Sequence, residues 1–176
     1  MNTLHHGFWI YFFTRHHPKV WQFVFGAMLP DYIYVVLLGL LLHKDYVTWS
    51  ELGSLGPDVL MSLVPLFPWV TKIDLIGHSV LIWFTALVAS LLPGIKKFQA
   101  FIIGWGTHLL IDALTHGAYS NFYLFPLRAN TVESPVSYWE HNHWFREYRL
   151  INTCLMAAAA IYMFWEWWKR RKRMRR

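Results

Sequence analysis

The stretch Gly104-Trp105-Gly106-Thr107-His108-Leu109-Leu110-Ile111-Asp112-Ala113-Leu114-Thr115-His116-Gly117 is an apolar run that carries three groups able to bind a metal ion. His108, Asp112 and His116 are four residues apart, so successive turns of a helix stack them on one face. Such a stripe can grip one metal or bridge two. It would equally serve as a buried, hydrogen-bonded seam that holds helices together. Charged groups inside a membrane helix are costly and mark functional sites by default. Whether this helix lies in a membrane therefore decides how the stripe is read.

Composition answers that question. The chain of 176 residues is 56% hydrophobic and 15% charged, with 11 Trp, 9 Tyr and 13 Phe. A soluble domain carries about 25% charged residues, and Trp and Tyr favour the headgroup layer of a bilayer. The single cysteine, Cys154, excludes an intramolecular disulfide and a cysteine-based zinc site. Any metal must then be held by His, Asp and Glu. Of the 16 Lys and Arg, 7 fall in the last eight residues, Lys169 to Arg176, directly after Trp165, Trp167 and Trp168. That tail reads as a cytosolic anchor on anionic lipid, and no nucleic-acid partner is expected. The N-terminus lacks the basic start and cleavage site of a signal peptide, so the whole chain is read as mature.

Working outward, a spanning helix needs about 20 apolar residues. Four stretches qualify or come close: Val20 to Leu42, Leu75 to Leu92, Phe98 to Leu114 and Leu150 to Trp168. Phe8 to Phe13 is too short to cross alone and fits an interfacial or re-entrant turn. Pro57 to Phe67 fits a short surface helix, and Leu92 to Lys97 a tight basic turn. The fold expected is all-α: an integral membrane bundle of about four transmembrane helices with short interfacial helices. Residues 1–168 form one membrane-embedded domain and 169–176 a basic tail. Arg15 and Lys19, Lys96 and Lys97, and the tail fall on one side of such a bundle, which is the cytosol by the positive-inside rule. The long loops 45–74 and 117–146 then face outward.

Three further groups bear on the stripe. Asp31 follows Pro30, which breaks the backbone ladder, and its carboxylate suits the start of the next helical stretch. It lies twelve residues past Lys19, and His108 eleven past Lys97. At about 1.5 Å per residue both sit roughly 17 Å above the cytosolic surface, where they can meet. His78, in Gly77-His78-Ser79, opens the second span at a similar depth, as ligand or as cap. His143 and Glu147 form another i, i+4 pair at the outer mouth of the fourth helix. His5 and His6 fall on the cytosolic side of this topology. They reach the site only if residues 4–17 re-enter the membrane or the first span is drawn differently. His16, His17 and His43 read as surface or interfacial residues.

His108-x-x-x-Asp112-x-x-x-His116, followed by His143-x-x-x-Glu147, resembles the zinc-dependent phospholipase C pattern. Gly26-Ala27-Met28-Leu29-Pro30-Asp31, Gly77-His78-Ser79 and the run from Gly104 to Asp112 resemble its membrane-bound relatives. Those relatives are the membrane-bound metal-dependent hydrolases, also called the LexA-binding inner-membrane-associated hydrolase family. The resemblance implies a phospholipase C-like site holding between one and three zinc ions, with one or two the number the countable ligands suit. Asp31, His78, His108 and Asp112 match best, while His116, His143 and Glu147 match the soluble pattern by spacing. An N-terminal ligand is also implied, with His5 or His6 the candidate. Asp31, Asp112 and Glu147 are the catalytic candidates.

The expected activity is zinc-assisted hydrolysis of a phosphoester, with membrane lipids as surroundings and a phospholipid as possible substrate, in a bacterial inner membrane. A non-catalytic membrane scaffold and an ion transporter are the alternatives. No HExxH signature is present to suggest a peptidase.

Overall fold

The computed structural model describes residues 3–52, 55–117, 123–128, 133–138 and 144–174. Among these, every regular element is helical: α1 (Thr3–Thr14), α2 (Val20–Met28), α3 (Tyr32–His43), α4 (Pro57–Leu63), α5 (Pro68–Gly77), α6 (Val80–Ala89), α7 (Gln99–Thr115) and α8 (Phe145–Met174). Short 3-10 turns at Leu29–Asp31, Val64–Leu66 and Lys96–Phe98 join neighbouring helices.

Among the described residues two helical stretches are long and apolar enough, by length and composition, to cross a membrane: Val20–His43 with 24 residues and Phe145–Met174 with 30. The first spans α2 and α3, joined through the turn that Pro30 imposes by lacking an N–H. The segments Val59–Leu66 and Pro68–Gly77 meet at 113° and make a third span if the bent pair is counted as one. The third hydrophobic run falls largely in α7, a single helix of 17 residues, at the short end of what a span needs. The run Leu75 to Leu92 is divided, because Ser79 leaves helical geometry and its hydroxyl accepts from the Ile82 N–H at 3.1 Å, capping α6. The remaining helix α6 has 10 residues and is too short to span. His78 thus closes α5 instead of opening a span.

The α1–α2 pair is a hairpin. Its turn is fixed by His17 N–H to the Thr14 carbonyl at 2.7 Å and Val20 N–H to the His17 carbonyl at 3.1 Å. The helix α1 then lies against both α2 and α7, so His6, one end of α1, is carried back from the Arg15–Lys19 turn into the bundle. The hairpin thus brings His6 to within 3.0 Å of Asp112, which the topology expected from the hydrophobic runs did not allow.

The α2–α7 crossing is close enough to bring backbone against backbone. A Cβ on Gly26 would sit 1.9 Å from the Phe101 carbonyl oxygen, and one on Gly104 would sit 2.2 Å from that of Phe23. Two glycines on facing helices let the backbones touch, the small-residue packing that replaces hydrophobic drive inside a bilayer. Ala27 on α2 and Ala100 and Leu109 on α7 are buried as well. A second apolar cluster joins α3 to the segment after it through Tyr34, Leu37, Leu41, Phe67 and Val70. By contrast α8 is thinly covered: 11% of its most apolar window is buried. Its exposed Leu150, Ile151, Leu155, Ile161 and Phe164 form the kind of apolar surface that marks a membrane or partner contact.

Candidate metal centre

The seam between α2 and α7 ends in a buried cluster of imidazoles and carboxylates. The helix α7 contributes His108 and Asp112 from successive turns, and His116 from its C-terminal cap. Asp31 comes from the Pro30 turn, His78 from the break between α5 and α6, and His6 from α1. All six are buried.

Asp112 is the hub. Its Oδ1 lies 3.0 Å from His6 Nε2 and 3.1 Å from His116 Nε2. Its Oδ2 lies 2.9 Å from His108 Nε2 and 3.7 Å from His78 Nε2. Asp31 Oδ1 stands slightly back, 3.7 Å from His108 Nε2 and 4.0 Å from His78 Nε2. The His6 ring stacks on that of His108 at 3.9 Å between centroids. Two overlapping groups of three ligands result, His6 with His108 and Asp112, and Asp31 with His78 and His108, each with ligand atoms within 4.8 Å of one another.

The protons of two rings are fixed by their outer neighbours. His108 Nδ1 is 2.8 Å from the Ala27 carbonyl oxygen, which can only accept, so this nitrogen carries the hydrogen. His78 Nδ1 likewise donates, to Asp74 Oδ1 at 2.9 Å and to the Asp74 carbonyl at 3.0 Å. Asp74 is itself held by the Tyr34 hydroxyl, which donates at 2.8 Å. In the neutral rings the Nε2 lone pairs of His78 and His108 must then face each other, and they do so at 3.3 Å. That arrangement is repulsive unless a proton or a cation lies between them.

These atoms fit zinc. Nitrogen and oxygen ligands at 2.0–2.2 Å in a tetrahedron stand about 3.3 Å apart, close to the 2.9 to 3.7 Å that separate Asp112 from His6, His78, His108 and His116. His6 supplies an independent sign. Among the described residues neither of its buried ring nitrogens makes a hydrogen bond of good geometry. The 3.0 Å approach to Asp112 therefore lacks hydrogen-bond alignment, though a buried imidazole nitrogen left unbonded is costly. Two ligands of one ion approach each other in this way.

Not every residue singled out by sequence joins the cluster. His5 is turned away, since neighbours on a helix diverge by about 100°. Its Nδ1 is 3.3 Å from Asn152 Nδ2 and its ring meets Tyr138 edge-on. Glu147 is exposed on the first turn of α8 and belongs to neither ligand group. His143 lies outside the described residues. Conversely, Asp74 was not anticipated, although Asp74-x-x-x-His78 repeats the i, i+4 spacing of His108 and Asp112. The Ala27 carbonyl leaves no mark in the sequence.

Against known families, the model for zinc dependent phospholipase C matches residues 20–174. The match spans most of the chain and starts just after α1, so the case for His6 rests on geometry. No curated protein and no solved structure matches the chain.

Proposed function

The chain belongs to the zinc dependent phospholipase C family, and from that premise we propose that it is a membrane-bound zinc hydrolase that cleaves a phosphoester of a lipid headgroup. The observation that carries the reading is the pair of Nε2 atoms of His78 and His108 facing each other at 3.3 Å with both Nδ1 protons committed elsewhere. Outer hydrogen bonds of this kind orient metal-ligating histidines and raise their basicity.

His78, His108 and Asp112 are the core ligands in this reading. Asp31 completes one position, and His6 and His116 a second on the far side of the Asp112 carboxylate. Bound zinc would lower the pKa of water to about 7 and polarise a phosphoryl oxygen. Asp31 is the candidate proton acceptor, because it is the more accessible of the cluster's two carboxylates, 8% exposed against 1% for Asp112. The substrate is assigned to the lipid phase because the site sits among apolar helices and the exposed surface of α8 is apolar. The basic tail supports a cytosolic C-terminus by the positive-inside rule.

The test is the zinc content of detergent-solubilised protein, alongside release of phosphorylated headgroups from phospholipid micelles. Wild type should carry at least one equivalent and release headgroups, while His108→Ala with Asp112→Ala should do neither. Folded wild-type protein without zinc would sink the proposal. Bound zinc with no hydrolysis of any phospholipid offered would leave a structural metal in a membrane scaffold.

A further inference from the structure

The opposite end of α1 from His6 carries a second charged cluster that the metal centre does not use. Arg15, just past α1, donates from Nε to Glu166 Oε2 on α8 at 3.1 Å. Arg170, one turn further along α8, donates from Nη2 to Glu166 Oε1 at 2.8 Å. His16 Nε2 lies 3.1 Å from the same oxygen, and its Nδ1 faces Arg170 Nη2 at 3.4 Å. Together with Tyr11 and Trp167 these residues line a cavity of about 180 Å³.

One carboxylate is thus shared by two guanidinium groups, and the cluster keeps an excess positive charge. Arg15 commits Nε to Glu166 and part of Nη1 to the Phe12 carbonyl, and its guanidinium rests on the Phe12 and Tyr162 rings at 4.7 and 5.3 Å. A guanidinium presents five N–H donors, so among the described residues most of each fork is left without an acceptor. Planar forks held in place in this way match the oxygens of a phosphate.

The surroundings name the source of that phosphate. The next residues form an aromatic and basic collar, with Lys169 3.6 Å from the Trp165 ring centroid, Arg171 4.3 Å from that of Trp167 and Lys172 3.7 Å from that of Trp168. Tryptophan at the end of a spanning helix sits at headgroup level, and cations beside it meet lipid phosphates first. We propose that Arg15 and Arg170, with His16 and Glu166 holding them in place, form a binding site for the phosphate of an anionic phospholipid, at the end of the bundle opposite the metal centre. The lipid bridges α1 to α8, which the rest of the bundle covers thinly, and so steadies the helix that brings His6 into the cluster. This site is independent of any catalytic reading.

Native mass spectrometry of the full-length protein in detergent tests it, with phosphatidylglycerol or phosphatidylcholine added at equal concentration. Wild type should retain phosphatidylglycerol preferentially. Arg170→Gln should weaken that retention about tenfold, the loss expected for one charge-assisted hydrogen bond. Glu166→Gln frees both guanidinium groups and should strengthen retention, whereas a purely structural staple predicts no gain. Lys172→Gln with Arg173→Gln is the control for diffuse tail charge, and a loss equal to that of Arg170→Gln would overturn the proposal. So would equal retention of both lipids, or displacement of phosphatidylglycerol by millimolar inorganic phosphate, which would assign the site to a soluble anion.

Discussion

Replacing Gly104 by alanine puts a methyl carbon 2.2 Å from the Phe23 carbonyl oxygen and 2.9 Å from the Phe23 carbonyl carbon and Cα. A carbon and a carbonyl oxygen rest about 3.3 Å apart at closest, and both partners here are backbone. The α2–α7 seam must therefore open by about 1 Å. The hydrogen bond from His108 Nδ1 to Ala27, 2.8 Å in the native seam, would be lost in that opening. Overpacking costs about 1–3 kcal/mol, and the orphaned imidazole N–H adds about 1 kcal/mol. A chain of this size loses about 2–4 °C in melting temperature per kcal/mol, so a fall of roughly 5–15 °C is expected. Zinc affinity should fall about 10- to 100-fold, as when an outer partner of a metal-ligating histidine is removed. Gly39→Ala is the control, because nothing lies within 4 Å of a Cβ there. It should be neutral or stabilise by about 0.5–1 kcal/mol through backbone entropy. Tryptophan-fluorescence melts in detergent and zinc titration against a competing chelator read both quantities. A Gly104→Ala protein with wild-type melting and wild-type zinc affinity would refute the close-crossing argument, whatever the metal does.

Asp74→Asn should lower zinc affinity about 10- to 100-fold while leaving the helical content unchanged, because it disturbs the partner that orients His78; circular dichroism alongside metal titration checks it. His6→Ala should reduce zinc stoichiometry or affinity, whereas His5→Ala should leave both at wild-type values, and equal effects from the two would contradict the placement of α1. Zinc at 100 times its dissociation constant should stabilise the fold by about 2.7 kcal/mol over chelator-treated protein; identical melts with and without chelator would remove the metal from the stability of this fold.

The stripe His108, Asp112 and His116 was legible because helical spacing alone puts those residues on one face, and Asp31 because its depth could be counted from the nearest lysine. His6 was not. The charges Arg15 and Lys19 do mark one end of the bundle, but whether the preceding helix lies outside or folds back depends on packing against α2 and α7, a long-range property. The division of the second hydrophobic run was hidden for a different reason. Hydropathy averages over Leu75 to Leu92 and is blind to a single hydroxyl, while the break is made by Ser79 capping the helix after it. Asp74 could have been found, since its spacing to His78 is the same as that of the pair on α7. It ends the proline-bearing stretch 45–74, whose turn residues mask the helix α5 that puts Asp74 and His78 on one face.

The Asp31 carboxylate is synthesised long before anything that can accompany it. His78 lies 47 residues later in the chain and His108 lies 77 later. At about 5–20 residues per second of translation, Asp31 waits roughly 4 to 15 s for its last neighbour. During that interval a helix with an acid near its middle carries a penalty of about 2.5–3.5 kcal/mol against lying in lipid. The Gly26 face is also bare until Gly104 arrives. The α1–α2 hairpin is therefore unfinished until α7 is made, because α7 supplies both the glycine that meets Gly26 and the imidazole that meets Asp31.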